Sequence, residues 1–274
     1  MHILVFNCGS SSLNYKLFKI SPGGKLTVDR YGKAHRVGVT GSVPSFIEYH
    51  DNQHTERMEI PIPDHRTAAD LVLAHLQSEN ATIDAIGHRF VHGGSAFQST
   101  TLLTPETLER LKDTLPLAPI HNPNSMSVIE TCLKALPDLP EYLTFDTAFH
   151  ATLPPSAYTY ALPHELVTRY GLRRYGFHGL SYQYVSRASA RFLGLSLEGL
   201  RMVACHLGTG GSSVAAILSG QSVDTSMGYS PLAGLMMSTR SGDLDALLPL
   251  YLERELGYNP AELEMMFNKQ SGLL

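Results

Sequence analysis

One local plan occurs twice in this chain, and that repetition limits its folds more than any single residue does. Ile3-Leu4-Val5-Phe6 reads as a strand, Asn7-Cys8-Gly9-Ser10-Ser11-Ser12 as a small polar turn, and Tyr15–Ile20 as the returning strand. Met202-Val203-Ala204-Cys205-His206 leads in the same way through Leu207-Gly208-Thr209-Gly210-Gly211-Ser212-Ser213 into Val214–Leu218. Duplication of a strand–phosphate loop–strand unit predicts two related domains facing a cleft. Two chance hairpins are the competing reading, and the shared glycines and serines favour duplication. With 274 residues, 43% of them hydrophobic, the chain can build two modest cores. Leu153-Pro154-Pro155 lies between the loops and reads as a hinge, which sets the domains at 1–150 and 151–274.

Elsewhere strand-like and helix-like segments alternate, the mark of an α/β fold. Leu26–Tyr31, Arg57–Ile62, Ile86–Val91 and Tyr142–Phe145 complete the expected strands. Thr104-Pro105-Glu106 supplies a cap, a first-turn proline and an acid ahead of Leu108, Leu111 and Leu115, so a helix begins there. Tyr184, Val185, Ala188 and Phe192 recur at helical spacing before Gly194. So do Leu244, Leu247, Leu248, Tyr251 and Leu252 before Gly257, with Pro249 kinking or shifting that helix. Asn259-Pro260 starts a last short helix carrying Leu263 and Phe267. These stripes are expected in the core.

Composition excludes several function classes. A net charge of −4 without a basic stripe argues against nucleic-acid binding. Cys8, Cys132 and Cys205 form no CxxC pair and leave an odd thiol, which argues against a disulfide framework. The first residues carry neither a basic region nor a long apolar run, and no apolar run matches a membrane span. A reducing cytoplasm is the expected location. Thirteen histidines invite a zinc reading, but none stands in an HExxH arrangement, so no dedicated zinc site is expected.

Small Gly/Ser turns let backbone N–H groups approach an anion, and serine hydroxyls add donors. Asn7, Ser10 and Ser12 therefore read as phosphate contacts, although no GKS or GKT follows to make a Walker loop. His88-Arg89-Phe90-Val91-His92-Gly93-Gly94 puts an arginine on an apolar strand, where burial is costly unless an anion answers it. Arg240 sits in the polar turn Ser238-Thr239-Arg240-Ser241-Gly242-Asp243. Two guanidinium forks can hold a carboxylate and a phosphoryl group in line; for either alone, a structural salt bridge is an equal reading. Asp146, ending an apolar strand, suits either Mg²⁺ ligation or proton capture. His178 stands between the glycines of Gly176-Phe177-His178-Gly179, where ligand can approach closely; a hydrogen-bonded structural histidine is the competing reading.

Taken in order, these stretches resemble the acetate kinase family, within the acetate/sugar kinase–Hsp70–actin superfamily. Leu117-Ala118-Pro119-Ile120-His121-Asn122-Pro123, Phe145 to His150, Arg173 to Gly179 and Asp224-Thr225-Ser226-Met227-Gly228 extend the likeness along the whole chain. The resemblance implies duplicated actin-like (ribonuclease H-like) domains and reversible phosphoryl transfer from ATP to acetate, giving acetyl phosphate and ADP. It implies that Arg89 and Arg240 hold the carboxylate and the moving phosphoryl group, and that His178 donates to that group. Asn7 and Asp146 would hold Mg²⁺ (or Mn²⁺). Asn7, Ser10, Ser12, His206, Gly208, Thr209 and Gly210 would line the phosphate end. Val91, Ile120, Phe177 and Pro231 would enclose the acyl methyl; such a pocket discriminates poorly by one methylene, so propionate or butyrate stays open.

Three departures stand out. Asn14 occupies a position where the family has lysine, and Thr209 one where it has asparagine. The family also continues beyond Leu274, so the second domain is expected to be incomplete in its adenosine-binding part, with a magnesium-binding glutamate and a terminal helix beyond it. A non-catalytic anion-binding remnant is therefore the alternative to an active kinase. A homodimer is a further expectation, with no membrane or nucleic-acid partner.

Overall fold

Alternation builds the first sheet. In β1 (His2–Cys8), Leu4, Phe6 and Cys8 are buried, while Ile3, Val5 and Asn7 look to the opposite face. β2 (Ser12–Ile20) returns antiparallel with Leu13, Tyr15 and Leu17 on the buried face, and β3 (Leu26–His35), β4 (Phe46–His50) and β5 (Thr55–Glu59) extend the meander. α1 (His65–Ser78), capped by the Asp64 carboxylate accepting from Thr67 N–H at 2.7 Å, crosses over to β6 (Ala85–Phe90), which lies parallel to β1. β7 (Thr101–Leu102), α2 (Pro105–Lys112) and α3 (Asn122–Ala135) lead to β8 (Glu141–Phe145), parallel to β6. The sheet order is β5-β4-β3-β2-β1-β6-β8-β7. Its core joins the buried face of β1 and β2 to Ala68, Ala69, Val72, Leu73 and Leu76 of α1 and to Val128 and Cys132 of α3.

The computed structural model describes residues 1–51, 54–208 and 210–273, and it divides into Met1–Phe145 and Asp146–Leu274. The second unit carries α4 (Pro155–Tyr158), α5 (His164–Tyr170) and α6 (Gly179–Leu193). A second meander follows, β9 (Arg201–Gly208), β10 (Gly211–Leu218) and β11 (Gln221–Thr225), in the order β11-β10-β9 that repeats β3-β2-β1. α7 (Leu248–Leu256) and α8 (Pro260–Lys269) complete it, α8 opening on a capping box of Asn259 and Glu262. Its core holds Tyr182 of α6 against Ala204, Ala215 and Ile217 of the sheet.

Two expectations about burial are corrected. Tyr184 and Phe192 are 73% and 89% exposed, because α6 packs through Gly179, Tyr182, Ser186 and Ala190, a different face of the helix. α7 begins at Leu248 with Pro249 in its first turn, and none of its residues is buried; Leu247 and Tyr251 are exposed too. Apolar spacing shows which face of a helix favours burial, whereas a covering neighbour decides whether burial follows. The strand expected at 57–62 runs instead from Thr55 to Glu59, fully exposed, and Ile62 enters the core from the turn before α1.

Leu76→Ala should therefore lower stability by about 2–5 kcal/mol, while Phe192→Ser should change it by less than ~0.5 kcal/mol. Urea unfolding followed by circular dichroism distinguishes the two, and equal losses would contradict this packing.

Candidate functional site

In the first unit the polar residues gather at the carboxyl ends of the parallel strands, where open α/β sheets receive ligands. Strand register sets Asn7 opposite Asn14 on β2 and beside Arg89 on β6, with Thr144 next to Arg89 on β8. The Arg89 Nη1 donates to Asn7 Oδ1 at 3.0 Å and to the Cys8 carbonyl at 3.3 Å. One residue earlier, His88 faces the core, its Nε2 lying 2.7 Å from a Glu141 carboxylate oxygen, with both side chains at most 2% exposed. The turn after β1 is held from beneath by His65, whose Nε2 donates to the Gly9 carbonyl at 2.9 Å, and by Gly9 N–H donating to the Ser12 carbonyl at 2.8 Å. Ser10 is exposed and Ser12 half-buried on that turn.

The glycine pair after β6 serves packing. A Cβ on Gly93 would lie 2.8 Å from Phe145 and from the Phe97 carbonyl, so no larger residue fits. Asn122, fully buried, accepts from His92 N–H at 3.2 Å and donates to the carbonyls of His92 at 3.1 Å and Thr114 at 2.8 Å, tying that loop to α3. Val91 is buried beside it, and Ile120 is exposed in the turn before α3.

In the second unit Asp146 and the GFHG segment form one tight assembly. A Cβ on Gly179 would collide with the Asp146 carbonyl, which instead accepts Gly179 N–H at 2.9 Å. A Cβ on Gly176 would meet the His150 ring at 2.7 Å. His150 Nε2 donates to the Phe177 carbonyl at 2.9 Å, and its Nδ1 accepts from Ser222 Oγ at 2.8 Å. Burial pulls His150 down to about 4, so the ring is neutral in the folded protein. His178 is thereby held in the left-handed region, at φ 60° and ψ 19°, at the start of α6. Its ring stacks on His206 of β9 with centroids 4.0 Å apart.

Arg240 reaches the same place. A Cβ on Gly211 would lie 3.2 Å from Arg240 Nη1 and 3.5 Å from His178 Nε2, so both groups converge over that glycine. The Arg240 guanidinium is partly buried, which lowers its proton affinity, and its recorded hydrogen bond is a 3.5 Å donation to the Pro231 carbonyl. No carboxylate pairs with it among the described residues. Its turn is fastened by Met237 N–H donating to the Arg240 carbonyl, Ser241 N–H to Phe267 and Thr239 Oγ1 to Asn268, each at 3.0 Å. Phe177 is buried, Pro231 half-buried, and Gly208 pairs with Gly211 across the hairpin beside exposed Gly210. Thr209 lies outside the described residues.

Sequence reasoning passed over the residues that hold these groups: His65, Ser181, Ser213 and Tyr182. The signal available for Ser213 was its place in the second copy of the repeated turn. Arg174 is structural, donating from Nη1 to the Thr225 and Ser226 carbonyls at 3.0 and 3.1 Å. Among the described residues no group of three or more His, Cys, Asp or Glu could hold a metal ion by itself. Mg²⁺ commonly keeps water and substrate phosphate oxygens for most of its shell and takes only one or two oxygens from a protein, so the lack of such a cluster does not bear on it. No helix among the described residues is long and apolar enough to cross a membrane.

Comparison with known proteins gives the family. The acetokinase family model matches residues 2–274. An acetate kinase of Halothermothrix orenii is 46% identical over 283 residues, covering all of this chain and 69% of the relative. The crystal structure of a propionate kinase from Francisella tularensis superposes with a TM-score of 0.90 at 36% identity, covering 100% of this chain and 69% of that one. Acetate kinase from Entamoeba histolytica gives 0.87 at 42% identity, with 100% and 67% covered.

The buried neutral His150 makes a pH prediction. Unfolded, the ring titrates near 6.5; folded, near 4. Between those values the unfolded chain binds more protons, so stability is lost as pH falls from 6.5 towards 4, by about 3 kcal/mol in all. His65, lowered by burial in the same direction, adds to the trend. Urea midpoints at pH 7 and pH 4.5 test this, and a flat profile would contradict the assigned burial.

Proposed function

We propose that this chain, which belongs to the acetokinase family, transfers the γ-phosphoryl group of ATP reversibly to acetate. A carboxylate oxygen forms the new bond to phosphorus, the bond to the β–γ bridging oxygen breaks, and acetyl phosphate and ADP result. The observation that carries this reading is the convergence of Arg240 and His178 over Gly211. A half-desolvated guanidinium without a carboxylate partner, beside an imidazole, is an environment that stabilises the spread negative charge of a phosphoryl group in transit.

The roles follow residue by residue. Arg240 and His178 take the transferred phosphoryl oxygens, and Arg89, steadied by Asn7, takes the carboxylate. Asn7, Ser10, Ser12, His206, Gly208, Thr209 and Gly210 serve the phosphates; Val91, Ile120, Phe177 and Pro231 serve the acyl group. Asp146 and Asn7 give oxygens to Mg²⁺ or Mn²⁺, which when bound neutralises charge on the phosphate oxygens. The propionate kinase likeness favours a second reading, in which the acceptor is a carboxylate one or two methylenes longer. Family resemblance also supports a cytoplasmic homodimer, with the domains taken as 1–150 and 151–274.

Purified protein with Mg-ATP and acetate should yield acetyl phosphate, trapped as its hydroxamate. Arg89→Ala and Arg240→Ala should each lower kcat/KM by about 10²–10³-fold. Soluble, folded protein without turnover would sink the claim for the chain by itself and favour an anion-binding remnant. Asn14→Lys puts a cation opposite Asn7. Nucleotide should then bind up to about fivefold tighter, the effect of a partly exposed charge worth ~1 kcal/mol; isothermal titration checks it.

A further inference from the structure

We propose that Ser213 and Tyr182 are positioning residues which fix His178 in the tautomer that carries its proton on Nε2. The proposal rests on the role given to His178 above and deepens it. His178 Nδ1 lies 2.7 Å from Ser213 Oγ, and Ser213 Oγ is in turn hydrogen-bonded to the Tyr182 hydroxyl. Ser213 is fully buried and Tyr182 is 1% exposed, so water does not compete for these bonds.

Proton direction along the chain follows from acidity. A phenol is a better donor than an aliphatic alcohol, so the Tyr182 O–H donates to Ser213 Oγ. A Ser213 hydroxyl that accepts from Tyr182 keeps its own proton for an acceptor, and in the proposed relay that acceptor is His178 Nδ1. An imidazole that accepts on Nδ1 carries its proton on Nε2. That nitrogen lies with Arg240 Nη1 over Gly211, so a donor rather than a lone pair faces the place where the guanidinium holds negative charge. The opposite tautomer would aim a lone pair at an anion.

Two further features agree. Burial raises Tyr182 above the ordinary phenol range, so its hydroxyl keeps the proton the chain needs. His206, stacked on His178 at 4.0 Å, is engaged through its own Nδ1 with Ser181 Oγ at 3.0 Å, so that nitrogen does not compete for the Ser213 proton. The polypeptide also prepares the geometry: Ser213 stands opposite His206 in the β9–β10 register, while His178 and Tyr182 sit one helical turn apart, joined by Tyr182 N–H donating to the His178 carbonyl at 3.0 Å.

The test is nitrogen NMR on full-length protein labelled with ¹⁵N-histidine, with His178→Ala to assign the ring. The parent should show an unprotonated Nδ1 and a protonated Nε2. Ser213→Ala should move both signals towards the averaged values of mixed tautomers, Tyr182→Phe should do so partially, and Ser213→Thr, which keeps the hydroxyl, should restore the parent pattern. Tyr182→Phe keeps the ring in place, so a shift there is not a folding defect. Where turnover is measurable, Ser213→Ala should lower kcat about five- to tenfold, the worth of one misdirected hydrogen bond, with KM for acetate unchanged. A protonated Nδ1 in the parent, or a pattern unmoved by both Ser213→Ala and Tyr182→Phe, overturns the proposal. The tautomer is read without turnover, so an inactive chain with the Nε2–H form would defeat the kinase reading and leave the relay standing.

Discussion

The register of β1 against β6 governs the first unit. In a sheet, a slip of one residue reverses every side chain. Here a slip of β6 would carry His88 away from Phe6 on β1 and from Glu141 on β8, leaving a carboxylate in the core without its partner, and would turn Arg89 inward. Either change costs several kcal/mol. The pairing with β1 is secured by the His88 ring stacked on Phe6 at 5.9 Å, and the 2.7 Å contact between His88 and Glu141 ties β6 to β8. Core demands on one face thus dictate the polar row of Asn14, Asn7, Arg89 and Thr144 on the other. The polar edge is ordered because the opposite face cannot tolerate an alternative.

The second unit reaches the same end by close backbone approach. Gly176 and Gly179 stand where a Cβ would strike His150 or the Asp146 carbonyl, and Gly211 where one would crowd Arg240 at 3.2 Å. The first two draw the chain so tight that His178 takes a left-handed conformation, unfavourable for a non-glycine residue by about 1 kcal/mol. The Gly179 N–H bond to Asp146 and the Tyr182 N–H bond to His178 offset that strain and aim the ring. Strain at a side chain that no other residue type could replace in its chemistry is a feature of sites more than of scaffolding.

Much of this was legible in the sequence, for reasons that can be separated. The repeated hairpin was visible because both copies need glycine and serine at the turn, and both meanders have the same strand order. Arg89 and Arg240 were visible because arginine on an apolar strand or in a glycine-flanked turn demands an explanation. The role of Gly93 in packing against Phe145 was hidden, since glycine looks alike whether it yields to a ligand or to a ring. Ser213 and Tyr182 were hidden because a serine on a strand and a tyrosine on a helix show no local sign of meeting. The Tyr184–Phe192 stripe misled because periodicity reports preference, and α6 is held by the smaller residues Gly179, Ser186 and Ala190 around Tyr182.

Arginines in this chain also show how a fold separates support from function. Arg174 spends its donors on carbonyls at the end of β11, including Thr225 at 3.0 Å, and on Ala157 at 3.2 Å, so its work is complete in the folded chain. Arg240 is held otherwise: three hydrogen bonds of 3.0 Å fix its turn, while among the described residues its side chain has one donation of 3.5 Å, at the limit of such bonds. The backbone is positioned, and no carboxylate among the described residues balances the charge. Removing a guanidinium from water without a counter-charge costs free energy that an arriving anion recovers, so the deficit in the unliganded protein reappears as affinity. An oxyanion whose charge grows during reaction recovers more than one whose charge is constant, and that difference is what accelerates a reaction. A cation so placed, with a proton donor fixed beside it, is therefore better suited to a passing phosphoryl group than to permanent storage of an ion.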